Sequence, residues 1–349
     1  MPRSQRSGVF MAALAALALL AVACSDDDSV STAATISSAP APPASAPRST
    51  SAPTPPETPG PPTTERATLQ PSADGRYLPL AADGGSLLAE QIVATEAALR
   101  DPDTPPEALP DLGHQQQVIY RHLGRHPEWD ADVLAAVPAE LRPIVELQLA
   151  GRRAFYGISS GYGEQLPAWR IVEPEPAENL LSYYQEAEAD YGIEWEYLAA
   201  INLVETGMGR IYGFSTAGAQ GPMQFIPATW ADYGQGDINN PRDAIRAAAR
   251  YLRSRGGPDD MDRALYGYNP TEYYVDGVSR YAEIMQRDPA AFLGFYHWEI
   301  HFSSYLGDLW LPVGYEHEEP ILITDYLTLH PESNPPPNGW VPVPEDADE

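Results

Sequence analysis

One glutamate, Glu205, has the sequence surroundings of a general acid. Leu198, Ile201 and Glu205 are spaced by three and then four residues, so they share one stripe if the segment is helical. Gly207 follows and favours the end of the helix there. Burial beside apolar side chains and the negative carbonyl end of a helix both raise the pKa of a carboxyl group. Glu205 is therefore expected to hold a proton near neutral pH, as a general acid must.

A helix and the loop after it must position this acid. The helix is predicted to begin at Trp195, and the segment from Ser215 to Trp230 is predicted to be a small-residue loop that continues as a short apolar helix. Small residues let the backbone pass close to a ligand. An isolated helical glutamate is most often a solvated surface residue, so the interpretation of Glu205 as an acid depends on these neighbours.

Several short motifs follow the acid in order. The chain shows Glu205, Ser215, Gly218-Ala219, Gly221-Pro222-Met223-Gln224 and, later, Ala264-Leu265-Tyr266-Gly267-Tyr268-Asn269. This order resembles the soluble lytic transglycosylase family, in which an acidic residue ends a helix, a Ser-x-x-Gly-Ala-x-Gly-x-Met-Gln block follows, and Ala-x-x-Tyr-Asn comes later. The resemblance covers about 120 residues, roughly 172–289.

Three places depart from the pattern of that family. Thr206 stands where serine is usual, Pro222 where leucine is frequent, and Pro270-Thr271 where Ala-Gly is usual. These differences concern substrate preference more than the class of reaction.

The resemblance implies a mainly α, lysozyme-like transglycosylase domain, with a cleft between the Glu205 helix and segment 215–230. It also implies an enzyme that cleaves the β-1,4 bond from N-acetylmuramic acid to N-acetylglucosamine in peptidoglycan, without a cofactor. Glu205 would protonate the glycosidic oxygen and then deprotonate the muramyl 6-hydroxyl, giving a 1,6-anhydro end. The usual two-carboxylate scheme needs a second acid. The motifs contain none in an obvious catalytic setting, and Asp232 and Asp237 are the nearest candidates downstream.

Four further residues match family positions that bind substrate or lie near the acid: Ser215, Gln224, Tyr268 and Asn269. Each has an alternative role. Ser215 can begin a turn, and Gln224 can bond a buried carbonyl. Tyr268 can pack in the core, and Asn269 can cap the helix that starts near Pro270.

Three other functions stay open. A hydrolytic muramidase of the same fold would activate water with a second carboxylate. A chitin-active enzyme would share the acid but not the context of a secreted wall protein. A catalytically inactive wall-binding lipoprotein would keep the fold alone, although such a protein gains nothing from a buried acid.

The charge balance limits the possible partners. The chain of 349 residues has a formal net charge of −28, which argues against a nucleic-acid partner, because phosphates require a basic surface. It also argues against electrostatic attachment to an anionic wall or lipid surface. All 21 basic residues are arginine, and this composition, rich in alanine and proline, suggests a high-GC bacterial genome.

No metal site is predicted. The histidines at 114, 122 and 126 lack patterned carboxylates, so they are interpreted as surface or packing residues. The cluster of Asp237, Asn239 and Asp243 lacks the glycine and the terminal glutamate of an EF-hand loop, which favours a role in a loop and a helix cap.

The N-terminus indicates export and anchoring. Residues 1–24 combine two arginines with an apolar run that is short for a membrane span, as in a signal peptide. The single cysteine, Cys24, ends this run and resembles the lipidated cysteine of a bacterial lipobox, which would hold the protein at the outer face of the cytoplasmic membrane. An ordinary secretory signal with a free thiol is the alternative. Residues 25–75, rich in Pro, Ser, Thr and Ala, are predicted to be a disordered tether or a passive spacer.

The rest of the chain divides into three predicted segments. A helical subdomain covers 76–172, the catalytic domain covers 173–290, and an aromatic and acidic extension with short strands and a disordered tail covers 291–349. Helices in the subdomain are predicted over 86–99, 115–123, 130–137 and 141–150. Strands or extended segments are predicted over 295–302 and 308–313.

Overall fold

The computed structural model describes residues 69–158 and 162–339. The predicted signal peptide with Cys24, nearly all of the predicted tether and the tail from residue 340 lie outside the described residues. Within the described part the chain is mainly α-helical with a few short strands, which confirms the predicted fold class. That part contains no helix both long and apolar enough to cross a bilayer.

Helices predominate in the segment predicted as a helical subdomain. They are α1 (Gly85–Arg100), α2 (Leu109–Arg125), α3 (Asp130–Ala136) and α4 (Arg142–Tyr156). The helix α2 begins six residues earlier than predicted, because Pro110 occupies its first turn, where the missing N–H is tolerated. The helix α4 continues six residues beyond its predicted end.

Two short strands, β1 (Gln165–Leu166) and β2 (Arg170–Ile171), lead into the segment predicted as the catalytic domain. Its elements are α5 (Ala177–Tyr191), α6 (Trp195–Thr206), β3 (Ile211–Tyr212), α7 (Pro227–Tyr233), α8 (Pro241–Arg255), α9 (Met261–Tyr268) and α10 (Glu272–Arg287). The helix α6 packs against α5, α8 and α10, and every residue from Leu198 to Thr206 is buried. A helix buried on nearly all sides must be largely apolar, which makes its one buried glutamate conspicuous.

The C-terminal extension forms a hairpin. Its elements are α11 (Ala291–Tyr296), β4 (Ile300–Ser304), β5 (Gly307–Leu311), β6 (Ile321–Leu322) and α12 (Ile323–Leu329). Strands β4 and β5 pair antiparallel with Ile300 opposite Leu311, whereas β6 pairs with β1 and β3 pairs with β2. The two predicted extended segments are therefore confirmed as β4 and β5. The prediction was wrong at residues 295–296, which close α11.

The three predicted segments share their hydrophobic cores. The main core, around α6 and α10, includes Ile144, Leu147 and Phe155 from α4. Trp310 of β5 packs among the N-terminal helices, whereas its neighbours Leu309 and Leu311 pack with β2 and β3. The segment boundaries remain a prediction, and the shared cores indicate that the segments depend on one another for stability.

Candidate active site

Glu205 lies in the last turn of α6 with only 1% of its surface exposed. The helix ends because Gly207 adopts a left-handed conformation with φ of 60° and donates its N–H to the Leu203 carbonyl at 2.9 Å. A Cβ at position 207 would also lie 2.5 Å from the Ile300 side chain, so glycine is favoured there by both its conformation and its packing. Burial raises the pKa of Glu205 from 4.5 to about 8, in the direction that the sequence predicts.

The Glu205 carboxyl group makes one hydrogen bond within the described part of the chain. Tyr274 of α10, which is fully buried, donates its hydroxyl to Oε1 at 2.8 Å. The second oxygen, Oε2, is buried and has no partner among the described residues. The bond from Tyr274 stabilises the ionised form and so opposes the effect of burial on the pKa, but burial prevails.

Tyr268 stacks on Tyr274, the tyrosine that donates a hydrogen bond to Glu205. The ring centroids of Tyr268 and Tyr274 lie 6.3 Å apart and their planes differ by 5°. The Tyr268 hydroxyl donates to the Met223 carbonyl at 2.7 Å, so it does not point to Glu205. Burial raises the pKa of Tyr268 and Tyr274 well above the usual value, and the Glu205 charge adds to this. Both tyrosines remain neutral hydrogen-bond donors near pH 7.

The loop after α6 is held by its own polar groups. The Ser215 hydroxyl oxygen accepts the Ala219 N–H at 3.0 Å, which is the predicted alternative role of beginning a turn. Gln224 is 4% exposed and adopts φ of 49°. Its Nε2 donates to the Gly221 carbonyl at 3.0 Å, whereas its buried Oε1 accepts no hydrogen bond from any described residue.

The same loop is fastened to the end of α6. The Thr206 hydroxyl donates to the Pro222 carbonyl at 2.6 Å, and the Asn202 amide donates to the same oxygen at 2.8 Å. The Thr206 oxygen also accepts the Gly209 N–H at 3.0 Å. Thr206 therefore fixes the loop beside the acid, with a hydroxyl that the serine usual in the resembling family would also supply.

Asn269 follows the last residue of α9 and is 6% exposed. The N-cap of α10 is Thr271, whose hydroxyl accepts the Tyr273 N–H at 3.3 Å. The alternative role of Asn269 as the N-cap of the next helix was therefore wrong, because that N-cap lies two residues later, and Asn269 is instead the C-cap of α9.

The acidic residues downstream face solvent. Asp232 and Asp237 are both exposed, and Asp237 Oδ1 accepts the Asn239 N–H at 2.9 Å in the loop before α8. The described residues hold no cluster of three or more His, Cys, Asp or Glu side chains suited to a metal ion. His114 is buried, with its Nε2 2.8 Å from that of His301.

The cleft between α6 and segment 215–230 remains a prediction. A groove next to the loop is lined by Gly209, Tyr212, Pro222 and Asn239, but the Glu205 carboxyl does not line it. The Glu205 carboxyl is buried and does not open onto this groove.

Comparison with known proteins finds a family that matches the part of the chain around this site. Residues 182–284 match the family described as the Transglycosylase SLT domain. The span includes the acid, Tyr274 and the four other candidate residues named from the sequence.

The chain is also similar to the membrane-bound lytic murein transglycosylase F of Thiobacillus denitrificans, a curated protein. It is 31% identical over 124 residues, which are 33% of this chain and 26% of that protein. The alignment thus spans about a quarter of the relative's length. No solved structure was found to match the chain.

Two residues of the candidate active site were not predicted from the sequence. Tyr274 lies 69 residues from Glu205, and its only local signal is a place on the buried stripe of α10 with Val278 and Tyr281. The Asn202 amide lies one turn before the acid and is completely buried, which for a polar side chain indicates a specific partner.

Proposed function

We propose that this protein is a peptidoglycan lytic transglycosylase in which Glu205 is the single catalytic acid and base. The observation that carries the proposal is a lone buried carboxyl at a helix end within an SLT domain, with its pKa raised to about 8. The name of the relative, a lytic murein transglycosylase, supports the same reaction class.

In the proposed reaction, protonated Glu205 gives its proton to the oxygen that links N-acetylmuramic acid to N-acetylglucosamine, and that bond breaks. The carboxylate left behind is surrounded by apolar side chains, so its charge is poorly stabilised and it readily accepts a proton. It takes the proton of the muramyl 6-hydroxyl as that oxygen bonds to the anomeric carbon. The product is a 1,6-anhydro end, and Glu205 regains its starting form.

The four other candidates divide between substrate contact and support. We propose that Gln224 contacts the glycan, because its buried oxygen has no partner among the described residues and its backbone conformation must be imposed by its surroundings. Tyr268 supports the acid through Tyr274, and Ser215 shapes the loop. We assign Asn269 to the glycan as well, from its place beside Tyr268. Since Glu205 is 1% exposed, glycan binding must displace groups that cover the carboxyl.

We also propose that the protein acts at the cell envelope, held to the membrane by a lipid on Cys24. The support is the lipobox-like end of the apolar run and a relative whose name describes it as membrane-bound. A lipid chain would replace the electrostatic attachment that a net charge of −28 disfavours.

Product chemistry tests the reaction directly. Purified sacculi are digested with the protein in oxygen-18 water, and released fragments are analysed by mass spectrometry. Unlabelled 1,6-anhydro ends are expected, and Glu205→Gln should lower their release by about a hundredfold to ten-thousandfold. Labelled reducing ends would instead establish a hydrolytic muramidase. Binding to sacculi without any release would establish an inactive wall-binding protein.

A further inference from the structure

The two oxygens of the Glu205 carboxyl group have different surroundings. Oε1 accepts a hydrogen bond from Tyr274 at 2.8 Å, whereas Oε2 has no partner in the described ranges 69–158 and 162–339. A neutral carboxylic acid carries its proton on one oxygen only. The asymmetry therefore determines which oxygen that is.

The Tyr274 hydroxyl has a single proton to donate. Its one hydrogen-bond partner in the described structure is Glu205 Oε1, and the side chain is fully buried. If the acid carried its proton on Oε1, that proton would face the tyrosine hydroxyl and leave the tyrosine proton without an acceptor. A buried donor without an acceptor is costly, so Oε1 accepts and Oε2 carries the proton.

We infer that Tyr274 is a positioning residue that keeps the exchangeable proton of Glu205 on Oε2, the oxygen that has no hydrogen-bond partner among the described residues. This inference rests on the proposed function, because it makes Oε2 the atom that protonates the glycosidic oxygen. The same arrangement makes Oε2 the atom that later accepts the 6-hydroxyl proton.

The fold holds Tyr274 in the required place. Its ring stacks on Tyr268, whose hydroxyl is bonded to the Met223 carbonyl and whose ring meets Tyr251 edge-on at 5.5 Å. Three helices, α8, α9 and α10, thus contribute to one aromatic stack. The hydroxyl oxygen of Tyr274 cannot move away from Glu205 without moving this stack.

The ionisable neighbours of Glu205 are few. Tyr274 of α10 and Tyr268 of α9 interact with its charge, and Tyr251 of α8 acts on those two tyrosines. Burial raises the pKa of all three phenols above the usual value. Titration near neutral pH in this cluster therefore belongs to Glu205.

The test removes the hydroxyl alone, in the full chain, with Tyr274→Phe. Two readouts are followed: the carboxyl titration of Glu205 by infrared difference spectroscopy against Glu205→Gln, and the pH profile of anhydro-end release. The hydrogen bond from Tyr274 lowers the pKa of Glu205. Its loss should therefore move both the carboxyl titration and the pH profile to higher pH. We expect kcat to fall about three- to tenfold with KM little changed, because the variant loses one hydrogen bond.

Tyr281→Phe is the matched control. Tyr281 is also buried on α10, and its hydroxyl has no hydrogen-bond partner in the described structure. This variant should keep the wild-type titration and kcat. Equal effects of Tyr274→Phe and Tyr281→Phe, or an unchanged Glu205 titration in folded Tyr274→Phe, would overturn the inference.

A second substitution guards against failure to fold. Placing 3-fluorotyrosine at position 274 keeps the shape of the ring and makes its hydroxyl a stronger donor, so the Glu205 titration should move to lower pH. No movement would count against the positioning role. The infrared titration does not depend on turnover, so a protein that forms no anhydro ends would refute the proposed function while still reporting whether Tyr274 controls the proton of Glu205.

Discussion

Replacing Glu205 with glutamine should change how the stability of the protein depends on pH. In the unfolded chain the carboxyl has its usual pKa of 4.5, and in the folded protein burial raises the pKa to about 8. Between these values the folded state binds more protons than the unfolded state, so stability falls as pH rises. The contribution is fully present below pH 4.5 and is lost as pH rises through about 8.

The size of the effect follows from the two values. Each pH unit between them corresponds to about 1.4 kcal/mol, so the wild-type protein should lose roughly 5 kcal/mol of this contribution across the interval. Glutamine keeps the size of the side chain and does not titrate. As pH rises from 4.5 to about 8, the free energy of unfolding of Glu205→Gln, taken relative to that of wild type, should therefore increase by the same amount. This is expected even though the substitution removes the proposed acid.

Urea unfolding between pH 5 and pH 9, followed by tryptophan fluorescence, measures the difference. Glu90→Gln, on the exposed side of α1, removes a carboxylate far from the site in sequence and should give a curve parallel to that of wild type. If the Glu205→Gln and wild-type curves are also parallel across this range, Glu205 does not hold its proton in the folded protein and the proposed acid lacks its physical basis.

Three further predictions concern the loop, the chain segments and the anchor. Thr206→Val should destabilise the protein by about 1–3 kcal/mol in urea unfolding, because the part-buried Gly209 N–H loses its acceptor, whereas Thr206→Ser should cost less than about 1 kcal/mol. Residues 69–339 alone should melt cooperatively by circular dichroism and release glycan, whereas residues 173–290 alone should not fold, because they lack the α4 side chains of the main core. Wild type should incorporate a clickable fatty acid and Cys24→Ser should not; an unlabelled wild type would rule out the anchor.

Local signals predicted most of the helical fold. Gly207 ends α6 as expected, and Asp243 takes part in a helix cap as predicted, since its N–H donates to Asn240 Oδ1 at 3.2 Å. The direction of the Glu205 pKa followed from its stripe with Leu198 and Ile201. These features depend on residues within a few turns of one another, which sequence spacing encodes.

Contacts between distant segments were not predictable in the same way. The Tyr274 hydroxyl meets Glu205 only because α9 and α10 fold back beside α6, and Trp310 reaches the N-terminal helices only because β4 and β5 form a hairpin. Neither pairing leaves a periodic pattern in the chain. The motif indicated Tyr268, which stacks on Tyr274, but it is Tyr274 that bonds the acid.

The N-terminal helices, whose role the sequence left open, help to determine the geometry of the acid. The helix α4 lies so close to α10 that a Cβ at Gly277 would come within 2.5 Å of the Phe155 ring, and a Cβ at Gly151 within 2.7 Å of the Tyr281 ring. Each glycine thus admits an aromatic ring from the facing helix. Gly277 lies one turn after Tyr274, so the packing of α4 sets where that hydroxyl meets Glu205. The helix α4 contacts no reacting atom, yet it helps to position Tyr274 and so to keep the proton of Glu205 on Oε2.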